Sequence, residues 1–148
     1  MKQFLIFVAL LLSGCSVVSF HKLTTDISGV VTKNGNPVEG AEIIFQANSH
    51  WYGMWGEKVI VTNEDGEFEI PQWKKVRPLV LVHQPVIEQN ITIRLNDKTY
   101  EAWSYTRTSY SDSLDGANGI NLFCELESDS TMQEVDRYRT AKGLCRAK

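Results

Sequence analysis

From Asp26 onward, apolar side chains recur at every second position, and that rhythm restricts the chain to strands. Ala41, Ile43, Phe45 and Ala47 share one face, with Glu42 and Gln46 on the other. Glu67-Phe68-Glu69-Ile70 alternates cleanly until Pro71 stops it. Ile91, Ile93 and Leu95 alternate with Asn90, Thr92 and Arg94. Ile120, Leu122, Cys124 and Leu126 line one face of a late strand, which puts Cys124 on the inner side. Lys58 to Asn63 repeats the pattern, with Val59 and Val61 predicted inward. Leu79-Val80-Leu81-Val82 is continuous, as expected of a strand covered on both faces.

Turn chemistry separates these runs. Asn34-Gly35-Asn36-Pro37, Glu64-Asp65-Gly66 and Asn96-Asp97 tolerate positive φ or cannot join a central ladder. Only Thr131 to Lys142 has a helical look, and Ser109 to Asn118 is a polar loop. Eight or so short strands with turns between them predict an all-β fold, an antiparallel β-sandwich with a short C-terminal tail.

The N-terminus has a different composition. Met1-Lys2-Gln3 precedes an unbroken apolar run, Phe4 to Leu12, and then Ser13-Gly14-Cys15. A positive start, an apolar run too short to span a bilayer and small residues at its end form an export signal. Leu12-Ser13-Gly14-Cys15 resembles the lipobox of bacterial lipoproteins; the alternative is an ordinary secretory signal with an accidental cysteine. The resemblance implies diacylglycerol on the Cys15 thiol, cleavage before it and an acylated new amine. It divides the chain into a signal over 1–14, a lipidated tether over 15–25 and a sandwich over 26–148. Ser16 is not the aspartate that favours inner-membrane retention, so the expected location is the outer membrane, facing the periplasm.

Of 15 basic and 18 acidic residues only Lys2 lies in the signal, so the mature chain carries a net charge of −4. That balance, without a basic stripe, argues against nucleic acid as a partner. With Cys15 committed to lipid, Cys124 and Cys145 remain as a pair, and an even pair in an exported chain predicts a disulfide. Two free thiols are the alternative. A metal site is disfavoured because His21, His50 and His83 stand at no ligand spacing to a cysteine.

Residues 27–70 also carry a family rhythm. Ile27-Ser28-Gly29-Val30-Val31, then Asn34-Gly35-Asn36-Pro37-Val38-Glu39-Gly40-Ala41-Glu42-Ile43, then Val61-Thr62-Asn63-Glu64-Asp65-Gly66-Glu67-Phe68-Glu69-Ile70 resemble the start of carboxypeptidase-regulatory-like domains. The later Tyr100-Glu101-Ala102-Trp103 and Asn121-Leu122-Phe123-Cys124-Glu125-Leu126, with a closing cysteine, resemble small proteobacterial lipoproteins bearing a domain of unknown function. The resemblance implies a transthyretin-like sandwich at the envelope and brings no activity.

No catalytic set is visible: no serine lies in a G-x-S-x-G elbow, and there is no H-E-x-x-H and no phosphate loop. His83 reads as a strand-end histidine rather than a base. Asn63, Asp65 and Glu67 around Gly66 mimic a calcium loop but lack its other ligands, so a plain turn is expected; Asp112, Asp115 and Asn118 receive the same reading. The segment His50 to Gly56 concentrates Trp51, Tyr52 and Trp55 between glycines. Such a loop suits a binding patch, or folds back as a lid on one end of the sandwich. Trp103, Tyr105 and Tyr110 form a weaker cluster. The expected role is therefore non-catalytic, without cofactor: a lipid-anchored protein that binds a periplasmic protein or supports the envelope. An immunity or accessory lipoprotein of a secretion system, and a glycan or small-ligand binder using the aromatic loop, are the alternatives.

Overall fold

A computed structural model of the chain describes residues 18–24, 26–50, 53–78, 86–108, 119–136 and 139–148. In chain order the strands are β1 (Val18–Thr24), β2 (Ile27–Lys33), β3 (Asn36–Pro37), β4 (Glu42–Ser49), β5 (Gly53–Val61), β6 (Glu67–Ile70), β7 (Trp73–Pro78), β8 (Ile87–Leu95), β9 (Lys98–Arg107), β10 (Ile120–Glu125), β11 (Thr131–Asp136), β12 (Arg139–Gly143) and β13 (Cys145–Ala147). There is no helix among the described residues.

Three sheets form. Strands β11-β12-β9-β8-β4-β5 make a six-stranded sheet; β13-β10-β2-β3 make a second, with β6 also paired to β2; β1 and β7 make a two-stranded ribbon. The two larger sheets pack face to face as a β-sandwich. One inner face supplies Ile43, Phe45, Ile91, Ile93, Trp103 and Tyr105; the other supplies Ile27, Val31, Phe68, Ile70, Leu122 and Cys124, all buried in one apolar cluster. The alternation at 41–47, 91–95 and 120–126 thus becomes the core.

The turns follow their chemistry. Asn34 and Gly35 both take positive φ (52° and 77°), as a two-residue hairpin turn requires, and the register closes Lys33 opposite Asn36. Asn96 does the same at 52° between β8 and β9. At the third turn the Asn63 carboxamide oxygen accepts from the backbone N–H groups of Asp65 (3.1 Å) and Glu67 (2.8 Å), which makes a side-chain-closed β-turn of the would-be calcium loop.

Four features differ from the sequence reading. Residues 131–142 are not helical: β11 and β12 are antiparallel strands, with Ala141 opposite Tyr105 of β9. Pairing to β9 overrides the local preference, and Gln133 fixes the arrangement by donating to the Cys145 carbonyl (2.5 Å) and accepting from Ala147 N–H (2.9 Å). Val59 and Val61 point outward, 51% and 57% exposed, while Ile60 packs toward the core. Val59-Ile60-Val61 is apolar at both parities, and pairing with β4 decides which faces in: Ile60 stands opposite core Ile43, while Trp55, of the same sequence parity as the valines, turns inward as the extra residue of a bulge opposite Ala47 and Asn48. Strands β2 and β10 run parallel, Ile27 beside Ile120, within an otherwise antiparallel set. Finally, most of the stretch expected as a tether is strand β1, paired with β7 from Val18 opposite Pro78 to Thr24 opposite Trp73. The apolar run Leu79 to Val82 and the loop 109–118 lie outside the described residues.

Candidate binding surface

Among the described residues four large apolar side chains are exposed: Met54, Val59, Val61 and Met132. The first three lie on β5 and the last on β11, the two edge strands of the six-stranded sheet. The register places Val59 beside Ile44 and Val61 beside Glu42, whose carboxylate receives the Arg94 Nε–H at 2.6 Å. Thr62 N–H donates to the Ala41 carbonyl (3.0 Å). Antiparallel ladders alternate, so the peptide groups of Val61 and Val59 turn away from β4, toward the open edge. An apolar strip therefore borders a strand edge whose outward backbone groups meet no partner strand among the described residues, the arrangement to which an extended segment adds.

The same outer face carries a concavity of about 410 Å³, lined by Gln46, Asn90, Ile91, Thr92, Glu101, Trp103, Ser104 and Lys142. It forms where the β8–β9 register breaks: Ile91 faces Trp103, Thr92 faces Glu101, and Ala102 is the extra residue of a bulge. Gly143 makes room for it, because a Cβ there would stand 2.0 Å from the Ala102 carbonyl oxygen. The lining combines amides, hydroxyls, one carboxylate and one ammonium with apolar Ile91 and Trp103, and among these residues there is no nucleophile–base pair. A wider concavity of about 610 Å³ includes the outer-face residues Ser28, Val30, Glu67, Glu69, Asn121 and Phe123 of the other sheet.

Beside that second sheet, Glu125 holds the β2–β3 turn. Its carboxylate accepts from Gly35 N–H (2.9 Å), Asn34 N–H (2.8 Å), Glu127 N–H (3.2 Å) and the Thr32 hydroxyl (3.0 Å). The Gly35 N–H chiefly lowers its pKa below the ordinary 4.5; desolvation opposes this, and the other three donors assist.

Residues 27–129, from the first residue of β2 to just beyond β10, match the family described as Domain of unknown function (DUF6795). The chain belongs to that family. No curated protein and no solved structure matches it. Strands β2 to β10 make up the DUF6795 domain, flanked by β1 on one side and β11 to β13 on the other.

The Cys124–Cys145 disulfide is present and joins the domain to its C-terminal flank. The two cysteines face each other across the β10–β13 ladder, and both are fully buried. The aromatic segment needs correction. Trp55 is part of β5 and only 2% exposed, so its ring belongs to the core and is not presented to a partner. Its glycine neighbours resemble a loop in the sequence. Gly56 instead serves contact: a Cβ there would lie 2.4 Å from the Trp73 ring, over which the Lys58 amine also sits at 5.1 Å. Trp103 and Tyr105 are likewise core residues. Trp51, Tyr52, His83, Tyr110 and Cys15 lie outside the described residues. His50 is exposed in the turn after β4, its backbone N–H donating to the Val86 carbonyl. Among the described residues no group of His, Cys, Asp and Glu is gathered that could hold a metal ion. The β5 edge and the Glu125 clamp had no signal in the sequence beyond the charge and parity of single letters.

Proposed function

We propose that this chain is a lipid-anchored, non-catalytic envelope protein whose DUF6795 sandwich holds a protein partner along the β5 edge. The observation that carries the binding reading is the clustering of exposed Met54, Val59 and Val61 on one edge strand whose outer peptide groups remain open. The envelope reading draws on the buried Cys124–Cys145 bridge, which suits an oxidising compartment and leaves Cys15 as the remaining thiol, placed at the lipobox. The resemblance of residues 27–70 to carboxypeptidase-regulatory-like domains agrees with an accessory rather than a catalytic role. An immunity or accessory lipoprotein of a secretion system is the sharper form of the same reading.

The test has two arms. Mass spectrometry of the mature N-terminal peptide should find diacylglyceryl on Cys15, and Cys15→Ala should leave the precursor uncleaved and unanchored. A photo-crosslinking residue at Val59 should capture one discrete periplasmic protein, and Val59→Asp with Val61→Asp should abolish capture without lowering the melting temperature appreciably. Capture that survives the double substitution refutes the edge as the contact.

The concavity at the β8–β9 bulge favours a second reading, a glycan binder, because the amides and hydroxyls in its mixed lining match sugar hydroxyls. Titration with envelope glycans should then give a saturable tryptophan fluorescence change that Asn90→Ala removes.

A further inference from the structure

The β1–β7 ribbon differs in charge from the rest of the molecule. Its two strands read VSFHKLT and WKKVRP, with Lys22, Lys74, Lys75 and Arg77 and no acidic residue. The mature chain has a net charge of −4, so everything outside the ribbon sums to −8. The register concentrates the positive charge: Lys22 stands opposite Lys74, His21 opposite Lys75, and Arg77 opposite Ser19. Lys74 is exposed.

The ribbon also begins close in sequence to the lipobox cysteine. Val18, its first residue, is three positions beyond Cys15. Three extended residues span at most about 10 Å, close to the distance of roughly 8 Å over which charges act at physiological salt. A lipid on Cys15 therefore holds the ribbon within electrostatic reach of the headgroups.

Resting on the lipid-anchor reading, we propose that the β1–β7 ribbon is a membrane-contact surface that binds anionic phospholipid headgroups and lays the sandwich against the bilayer in one orientation. Acyl chains hold the protein to the membrane without orienting it. A two-stranded ribbon of cationic sequence directly after them supplies the second point of attachment. The strongly acidic remainder is repelled by the same surface, which turns the β5 edge and the sheet faces toward solvent and partner.

The test uses the mature lipidated protein reconstituted in vesicles of phosphatidylcholine alone and of phosphatidylcholine mixed with phosphatidylglycerol. Hydrogen exchange of the β1 and β7 backbone amides is followed in each. The expected result is exchange slowed by about fivefold or more on the anionic vesicles, near the effect of one surface cation. High salt should reverse it, and so should the combined substitution Lys22→Gln, Lys74→Gln, Lys75→Gln and Arg77→Gln. Unchanged exchange in β2 and β6 verifies that this variant folds, and the single substitution Lys74→Glu should give a partial loss. Equal exchange in both vesicle types, or protection that survives salt and neutralisation, overturns the proposal. Mass spectrometry of Cys15 in the same sample separates the two claims. An unacylated Cys15 defeats the anchor reading, and the ribbon is then judged by whether the protein sediments with the anionic vesicles alone; failure to sediment overturns it.

Discussion

The Glu125 carboxylate accepts a hydrogen bond from the Gly35 backbone N–H at 2.9 Å, across 90 residues of sequence. With the donors of Asn34, Thr32 and Glu127 it pins the β2–β3 turn to the end of β10. Glu125→Gln keeps the shape but turns an amide N–H₂ toward backbone donors. It should cost about 1 kcal/mol, discounted for the half-exposed position. Because the folded pKa is lowered, chiefly by the Gly35 N–H, the stabilisation is fully present above the unfolded value and is lost as pH falls through the folded one. Melting temperatures of the two proteins should therefore differ at neutral pH and converge in acid below the ordinary carboxylate value of 4.5. A gap that persists unchanged into strong acid would contradict this account.

The Cys124–Cys145 bridge closes a loop with a sequence separation of 21. In the chain-entropy picture it contributes about 3 kcal/mol. Cys124→Ala with Cys145→Ala should lower the melting temperature by roughly 10 °C. Reductant added to the folded protein should act slowly, because both sulfurs are buried and reduction must await local opening. Denaturation curves with and without reductant check both statements.

Gly29 sits where three strands meet most closely. It faces Phe68 on β6 and Leu122 on β10, and a Cβ there would lie 2.6 Å from the Phe68 ring and 2.7 Å from the Leu122 carbonyl oxygen. Gly29→Ala should destabilise by about 2–3 kcal/mol through overpacking. Adding Phe68→Leu should not restore stability, since the carbonyl is backbone and cannot withdraw. Full rescue by the second substitution in urea denaturation would show that the ring alone sets the limit.

How far the sequence could be read depends on whether a segment's two faces differ. Ala41 to Ala47 and Ile120 to Leu126 alternate apolar with polar residues, so strand and parity were both legible, and with them the inward position of Cys124. Asn34-Gly35 and Asn96-Asp97 were legible because few residues accept positive φ. Val59-Ile60-Val61 carries no such contrast, and its orientation depends on the register with β4, where a bulge at Trp55 resets the parity. Gly56 beside Trp55 looked like loop punctuation but serves close approach to Trp73. The parallel pairing of β2 with β10 and the strands at 131–142 are decided by partners remote in sequence. The binding surface inherits that difficulty, since an open edge is a property of the whole sheet order rather than of β5 itself.

Trp55 and the valines of β5 separate stability from binding. Trp55 is 2% exposed within the core, so Trp55→Ala should cost about 3–5 kcal/mol. Val59→Thr and Val61→Thr, on the opposite face of the same strand, should each shift stability by no more than about 0.5 kcal/mol. Urea midpoints of the three variants decide it: a large loss at Val59 would place that residue in a contact inside the fold and remove it from the binding strip.

Thr62 joins the end of β5 to the start of β4 through a buried hydroxyl. Its Oγ1 accepts from Ala41 N–H at 2.9 Å and donates to the Val38 carbonyl at 2.7 Å, with the residue 3% exposed. Thr62→Val preserves the shape but leaves a buried donor and a buried acceptor without that partner. The expected loss is about 2–3 kcal/mol, more than the usual net worth of one hydrogen bond, because both backbone groups stay desolvated. Thr62→Ser keeps the hydroxyl and should recover most of it, losing only the methyl packing. Hydrogen exchange should show the Ala41 amide opening in Thr62→Val and remaining protected in Thr62→Ser. If the Ala41 amide stays equally protected in both variants, the hydroxyl is not what closes this end of the β4–β5 edge.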